Sequence, residues 1–182
     1  MNDGTVVEGE SQIPEAHKKI RRVQLFPKKV QAVPAALEAV ESADAIILGP
    51  GSLYTSIMPN LLVNGVADAL KKSKAIKIYI CNVLTQPGET DNYTAAQHAK
   101  AILDHTGRGT IDYVLVNSTP IPEEMWRGTG SRPVEIDEDK VNALGCGLIK
   151  ADLMSTTEIG RHDPDKLCAA VMKIIYSMGG RG

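Results

Sequence analysis

The sequence predicts an α/β fold: a mostly parallel sheet built from βαβ units, in a single domain spanning residues 1–182. Three observations predict it. Short, nearly continuous apolar runs recur along the chain, as strands read when both faces of a parallel sheet are covered. Segments with apolar residues at helical spacing separate them. Each apolar run then breaks into small, polar sequence, the pattern of a strand that delivers a loop into a helix.

The elements follow in order. Residues 1–27 read as a β-hairpin and strand region. Asp3-Gly4 is a turn signal, Thr5, Val6 and Val7 favour β structure, and "KKIRRVQLFP" alternates until Pro27 stops it. Residues 28–182 read as βα units. "PAALEAVESA" is a helix with Pro34 in its first turn and Leu37 and Val40 on one stripe. "ADAIILG" is a strand, "GVADALKKSK" a helix and "AIKIYICNV" a strand. "DNYTAAQHAKAILDHTG" is a helix with Asp91 placed to cap it and Gly107 to end it. "IDYVLVNS" is a strand, "IPEEMWRGTGS" a short helix or loop, "RPVEID" a short strand and "GLIKADLM" a further strand. The last helix starts at Asp163-Pro164 and carries a Leu167, Val171, Ile174, Ile175, Met178 stripe.

Composition removes several functions. The formal net charge is -2, which gives no general basic field for nucleic acid or an anionic membrane. Aromatic residues are 4% of the chain, too few for a base-stacking platform. Cys81, Cys146 and Cys168 are odd in number and lack CxxC spacing, against a disulfide framework or a zinc cage. The four scattered histidines read as surface or satisfied interior residues. No secretory pattern opens the chain, and no apolar run approaches the ~20 residues that span a bilayer. The expectation is a cytoplasmic protein with no membrane insertion.

In parallel sheets, ligands sit beyond the carboxyl ends of the strands. The loops there are "GPGSLYTS", "CNVLTQPGETDNYT", "NSTPIPEE" and "STTEIGRHDP". They offer glycines, hydroxyls and amides and little negative charge. Glycines let backbone N–H groups approach an anion, and a helix N-terminus adds partial positive charge. Gly-Pro-Gly-Ser is not a P-loop, because no Gly-Lys-Ser/Thr follows. Nor is it GxGxxG, because Tyr54 stands where the third glycine belongs. It reads either as a phosphate or nucleotide loop or as a structural turn. In "TQPGETD", Pro87-Gly88 reads as the turn and Thr90 or Asp91 as a helix cap, with metal binding or base catalysis by Glu89 and Asp91 as the alternative. Arg161-His162 reads as a phosphate clamp or a solvated pair. No Gly-x-Ser-x-Gly elbow supports Ser52 as a nucleophile, and no HExxH occurs.

The stretch from "ADAIILGPGSLYTSIMPNLLV" through "CNVLTQPGETD" closely resembles the gluconeogenesis factor (YvcK) family, relatives of the 2-phospho-L-lactate transferases (CofD) of coenzyme F420 synthesis. "DGTVVEGESQIP" and "LIKADLMSTTEIGRHDPDKL" fit it too. The resemblance implies a Rossmann-like three-layer αβα sandwich of the CofD kind, binding a nucleotide or a nucleotide-sugar such as a UDP-sugar. It also implies a role in cell morphogenesis and in growth on gluconeogenic carbon sources. The pocket residues it implies are Gly49, Gly51, Ser52, Tyr54, Thr55 and Ser56 in the first loop. In the second they are Asn82, Thr85, Gln86, Gly88, Glu89 and Thr90. Arg161 and His162 follow from the late Arg-His-Asp. Family members begin with a strand and a Gly-Gly-Gly-Thr-Gly loop that this sequence lacks. The expectation is therefore a piece of a longer protein, or a divergent short form, whose exposed strand edge favours a homo-oligomer.

Three functions compete. A regulatory nucleotide-sugar binder leads. A CofD-type transferase, joining 2-phospho-L-lactate to a nucleotide or deazaflavin acceptor, needs carboxylates and a magnesium ion. A scaffold binds only a protein partner through its polar loops.

Overall fold

The computed structural model describes residues 1–158 and 160–179. Four strands, β1 (Ala45–Leu48), β2 (Ile76–Ile80), β3 (Tyr113–Asn117) and β4 (Gly147–Ala151), form one all-parallel sheet in the order β1-β2-β3-β4. Ile47 stands opposite Ile78, Tyr79 opposite Val114, and Leu115 opposite Ile149.

Alternation along the strands divides the core between the two faces of the sheet. Leu48, Tyr79, Cys81, Val114 and Val116 point to one face. They pack there against α3 (Met58–Leu61), α4 (Val66–Lys72), α5 (Ala95–Thr106) and α6 (Glu138–Ala143), with α2 (Pro34–Ser42) at the margin through Val40. Ile78, Ile80 and Leu115 point to the other face and are covered, with Leu153, by α7 (Pro164–Gly179). The result is a three-layer αβα sandwich. Ile47 lies on the α7 side of β1 and remains 37% exposed, so no helix among the described residues roofs that corner of the sheet.

Local chemistry accounts for the longer helices. The α5 start is a capping box: Thr94 Oγ1 accepts from Gln97 N–H, and Gln97 Oε1 accepts from Thr94 N–H. The α7 start is the Asp163 cap, whose Oδ1 accepts from the amides of Asp165 and Lys166. The Leu167, Val171, Ile174, Ile175, Met178 stripe faces the sheet.

Several expectations are corrected. Residues 1–27 contain no strand; they hold a short helix, α1 (Gln12–Glu15), and an extended run through Ile20 and Val23. Alternation alone does not make a strand where no neighbouring strand supplies a ladder. Val23 N–H donates instead to His105 Nε2 (3.0 Å). "RPVEID" makes only isolated bridges, Pro133 to Leu84 and Glu135 to Thr94. The α5 cap is Thr94 rather than Asp91, and α6 has no counterpart in the sequence reading.

Candidate functional site

The site begins where β1 stops. Gly49 takes φ +97, a conformation that costs a side-chain-bearing residue about 1–2 kcal/mol, and the Gly49–Pro50 peptide is cis. A Cβ on Gly51 would stand 3.2 Å from Ser56 Cβ, so the loop folds tightly back over the next turn. That turn is π-helical, Leu53–Ile57: the Ser52 carbonyl accepts from both Ser56 N–H and Ile57 N–H at 3.0 Å. It runs directly into α3 and buries Leu53, Tyr54 and Ile57.

The second loop holds the first in place. Glu89 is almost fully buried; its Oε1 accepts from Thr55 Oγ1–H (2.8 Å) and its Oε2 from Tyr54 N–H (3.3 Å). A carboxylate therefore occupies the amino end of the π turn, where partial positive charge concentrates. Burial, opposed by these two hydrogen bonds, pushes the Glu89 carboxyl above its ordinary range. Thr90 is wholly buried and its Oγ1 accepts from Gln86 N–H, while Asp91 Oδ2 accepts from Gly88 N–H (2.8 Å). Gly88, at φ +79, lies directly under the Pro14 carbonyl. Tyr54 points into the core, where its hydroxyl meets that of Tyr93 (2.9 Å); burial first, then Tyr93, raises its phenol.

Between the loops opens a cleft of about 850 Å³. Pro50, Gly51 and Ser52 form one side, Asn82 to Gln86 the floor, Ser131 a lip, and Ser155 to Pro164 the far side, Ile159 lying outside the described residues. Across the floor runs a chain of amides. Asn82 Nδ2 donates to Gln86 Oε1 (3.1 Å), and Gln86 Nε2 donates to Ser52 Oγ (2.7 Å). His162 Nε2 reaches the Cys81 carbonyl (3.2 Å); a carbonyl only accepts, so Nε2 carries the proton. Burial lowers the His162 pKa, against a smaller rise from that bond, so the ring is neutral at pH 7. Arg161 Nε pairs with Glu158 (3.1 Å) in the open, and Ser155 Oγ accepts from the amides of Thr157 and Glu158. Thr85 and Arg132 exchange hydrogen bonds that pin the segment carrying Ser131.

Of the residues picked from the sequence, Gly51, Ser52, Asn82, Thr85, Gln86, Arg161 and His162 line this cleft. Gly49, Tyr54, Thr55, Ser56, Gly88, Glu89 and Thr90 do not; apart from exposed Ser56, they shape the wall behind it. The third strand-end loop stays out, because Asn117 is engaged with Thr119 and the Leu153 amide. Sequence reasoning missed Ser131, Glu158 and Asp163 at the cleft. Ser131 arrives through the Thr85–Arg132 pairing, for which the sequence carries no local signal. Among the described residues no three His, Cys, Asp or Glu side chains converge on a metal-sized site, and no helix is long and apolar enough to cross a membrane.

Comparison with known proteins places this geometry. The family described as 2-phospho-L-lactate transferase CofD matches residues 1–154. A gluconeogenesis factor of Halalkalibacterium halodurans is 48% identical over 177 residues, covering 95% of this chain and 55% of the relative. A gluconeogenesis factor of Bacillus subtilis is 45% identical over 179 residues, 96% of this chain and 56% of the relative. The crystal structure of a UPF0052-family protein from Bacillus halodurans superposes with a TM-score of 0.90 at 48% identity, over 94% of this chain and 56% of that one. The chain thus spans about half the length of the curated relatives it matches. With the family match running through all four strands and both central loops, this chain belongs to the CofD family, and the relatives just described within it are gluconeogenesis factors.

Proposed function

We propose that the chain forms the nucleotide- or nucleotide-sugar-binding part of a cytoplasmic gluconeogenesis factor, a regulatory binder needed for growth on gluconeogenic carbon sources and for cell shape. The observation that carries the reading is the cleft at the carboxyl ends of β1, β2 and β4. Hydroxyls, amides, a neutral histidine and one arginine line it, with Glu158 paired to that arginine and Asp163 capping α7, a set suited to sugar and base polar groups beside phosphate. The names of the relatives support the gluconeogenic part of this reading.

The family's name favours a second reading, transfer of 2-phospho-L-lactate. That chemistry needs carboxylates holding a divalent ion over phosphates. Here Glu89 spends both oxygens on the π turn and Asp91 closes its own loop, while at the cleft Glu158 pairs with Arg161 and Asp163 caps α7. Calorimetric titration of the full-length protein with UDP-sugars and with GDP, with and without magnesium, tests the choice. Binding of a UDP-sugar without turnover is expected. Magnesium-dependent transfer to a deazaflavin acceptor sinks the regulator, and silence toward every nucleotide leaves only a scaffold for a protein partner.

A further inference from the structure

We propose that residues 18–29 dock the protein on an anionic lipid bilayer, with Phe26 entering the headgroup layer and Lys19, Arg21, Arg22, Lys28 and Lys29 held against acidic lipids. The proposal stands apart from the cleft, which none of these residues lines.

Two independent features meet in this segment. The first is charge. Six of the chain's 20 Lys and Arg fall in residues 18–29, and no Asp or Glu occurs between Glu15 and Glu38. That leaves 14 cations against 22 Asp and Glu elsewhere, so a basic strip crosses a molecule that is otherwise net negative. Lys18 is held by Asp3 (2.8 Å). The other five are exposed, and none pairs with a carboxylate among the described residues. Unpaired cations clustered on a surface attract anions from outside the molecule.

The second feature is Phe26. It is 97% exposed, beside exposed Pro27, in the bend that runs from Phe26 to Lys28. A phenyl ring left in water forgoes roughly a ten- to hundredfold gain in equilibrium constant that burial would supply. The bend is anchored at both ends. On one side Ile20 sits in the core and Val23 N–H donates to His105 Nε2 (3.0 Å). On the other, the Val30 carbonyl accepts from Asn64 N–H (2.9 Å), and Ala32 N–H donates to the Asn64 carbonyl (3.1 Å). Residues 24–29 bridge these anchors, so little chain must be ordered when the ring finds a partner.

The combination selects a bilayer over other polyanions. An acidic membrane offers phosphates at its surface and an apolar boundary just beneath. A basic side chain close to it strengthens binding about fivefold. Nucleic acid also offers phosphates, but single-strand binders stack successive bases on several rings, and this segment has one. An extended acidic peptide seats in a groove, whereas Phe26 stands clear of its own protein. The overall charge of -2 does not oppose the contact, because exposed charges more than about 8 Å away are largely screened at physiological salt.

The test is co-sedimentation of the full-length protein with phosphatidylcholine vesicles, with and without about 30% phosphatidylglycerol. Binding is expected only to the anionic vesicles, falling as salt rises from about 0.1 M to about 1 M. Arg21→Gln with Arg22→Gln should weaken it about 25-fold, two factors of five, and flatten its salt dependence. Phe26→Ser should weaken it at least about tenfold with the salt dependence kept. These side chains are exposed, so urea midpoints equal to that of the wild type are expected. Lys28→Gln with Lys29→Gln repeats the charge arm at a second place. Equal sedimentation with neutral and anionic vesicles, or none with either, overturns the proposal. So does a Phe26→Ser variant that binds as the wild type does. A single-stranded oligonucleotide bound more tightly than anionic vesicles at matched phosphate assigns the strip to nucleic acid and overturns it too.

Discussion

Gly88→Ala tests how the amino-terminal segment is seated on the site. Gly88 sits at φ +79, which costs a residue with a Cβ about 1–2 kcal/mol. The added methyl would also overlap the Pro14 carbonyl oxygen and stand 2.7 Å from its carbon and 2.8 Å from its Cα. These are backbone atoms, so no rotamer change relieves the clash, and α1 or the Pro87–Glu89 turn must shift. Overpacking of that kind adds about 1–3 kcal/mol, for a total of roughly 2–5 kcal/mol. Gly128→Ala is the matched control: φ is +80 and no atom lies within 4 Å of the new methyl, so only the backbone cost of about 1–2 kcal/mol applies. Urea unfolding of the two variants beside the wild type measures the difference. An excess of about 1–3 kcal/mol for Gly88→Ala is expected, or roughly 2–12 °C in thermal midpoint at 2–4 °C per kcal/mol. Two variants equal within about 0.5 kcal/mol would refute the close seating of Pro14 on Gly88.

Two further outcomes are expected. Glu89→Leu leaves the Tyr54 amide and the Thr55 hydroxyl without their acceptor, and a loss of about 2–4 kcal/mol in urea unfolding is expected, while Glu89→Gln, which still accepts one bond, costs less. His98 and His162 are both held below the ordinary 6.5, first by burial, so the folded protein refuses protons that the unfolded chain accepts. Stability is then full above pH 6.5 and falls with acidification from 6.5 toward the folded pKa values, by up to about 1.4 kcal/mol per pH unit for each histidine. Glu89, raised by burial, runs the other way at lower pH, so the comparison is wild type against His98→Leu between pH 7.5 and 5.5. An unchanged pH slope in His98→Leu would remove His98 from the account.

What the sequence disclosed depended on how local the cause was. The four strands, α5 and α7 were legible because their periodicity and boundary residues lie within a dozen positions: Gly107 after α5, and Asp163-Pro164 before α7. Asp91 and Thr94 are both acceptable caps three residues apart, and only the reciprocal Gln97 contact selects Thr94. The alternating pattern near Ile20 and Val23 looked like a strand, yet what alternates there is burial against α5, where Val23 meets His105. Glu89 shows the limit most clearly. Its sequence context allows a cap, a base or a ligand, and its place under the π turn comes from Tyr54 and Thr55, 35 and 34 residues away. The cleft's far side was half legible: Arg161 and His162 were picked, while Glu158, which holds the arginine, was not.

One feature of the sandwich bears on how the protein is made. Among the described residues, α7 covers Ile78, Ile80 and Leu115 together with Leu153, and it follows every strand it covers. A ribosome emits the chain from its amino end, so β2, β3 and β4 are made before the helix that covers their shared apolar face. Synthesis at about 5–20 residues per second leaves that side open for several seconds before α7 is free to dock. In that interval the nascent sheet is most exposed to mispairing and most in need of a chaperone's shelter. A stop codon just ahead of Pro164 would make the interval permanent, and the shortened product should collect in inclusion bodies although all four strands described above are present.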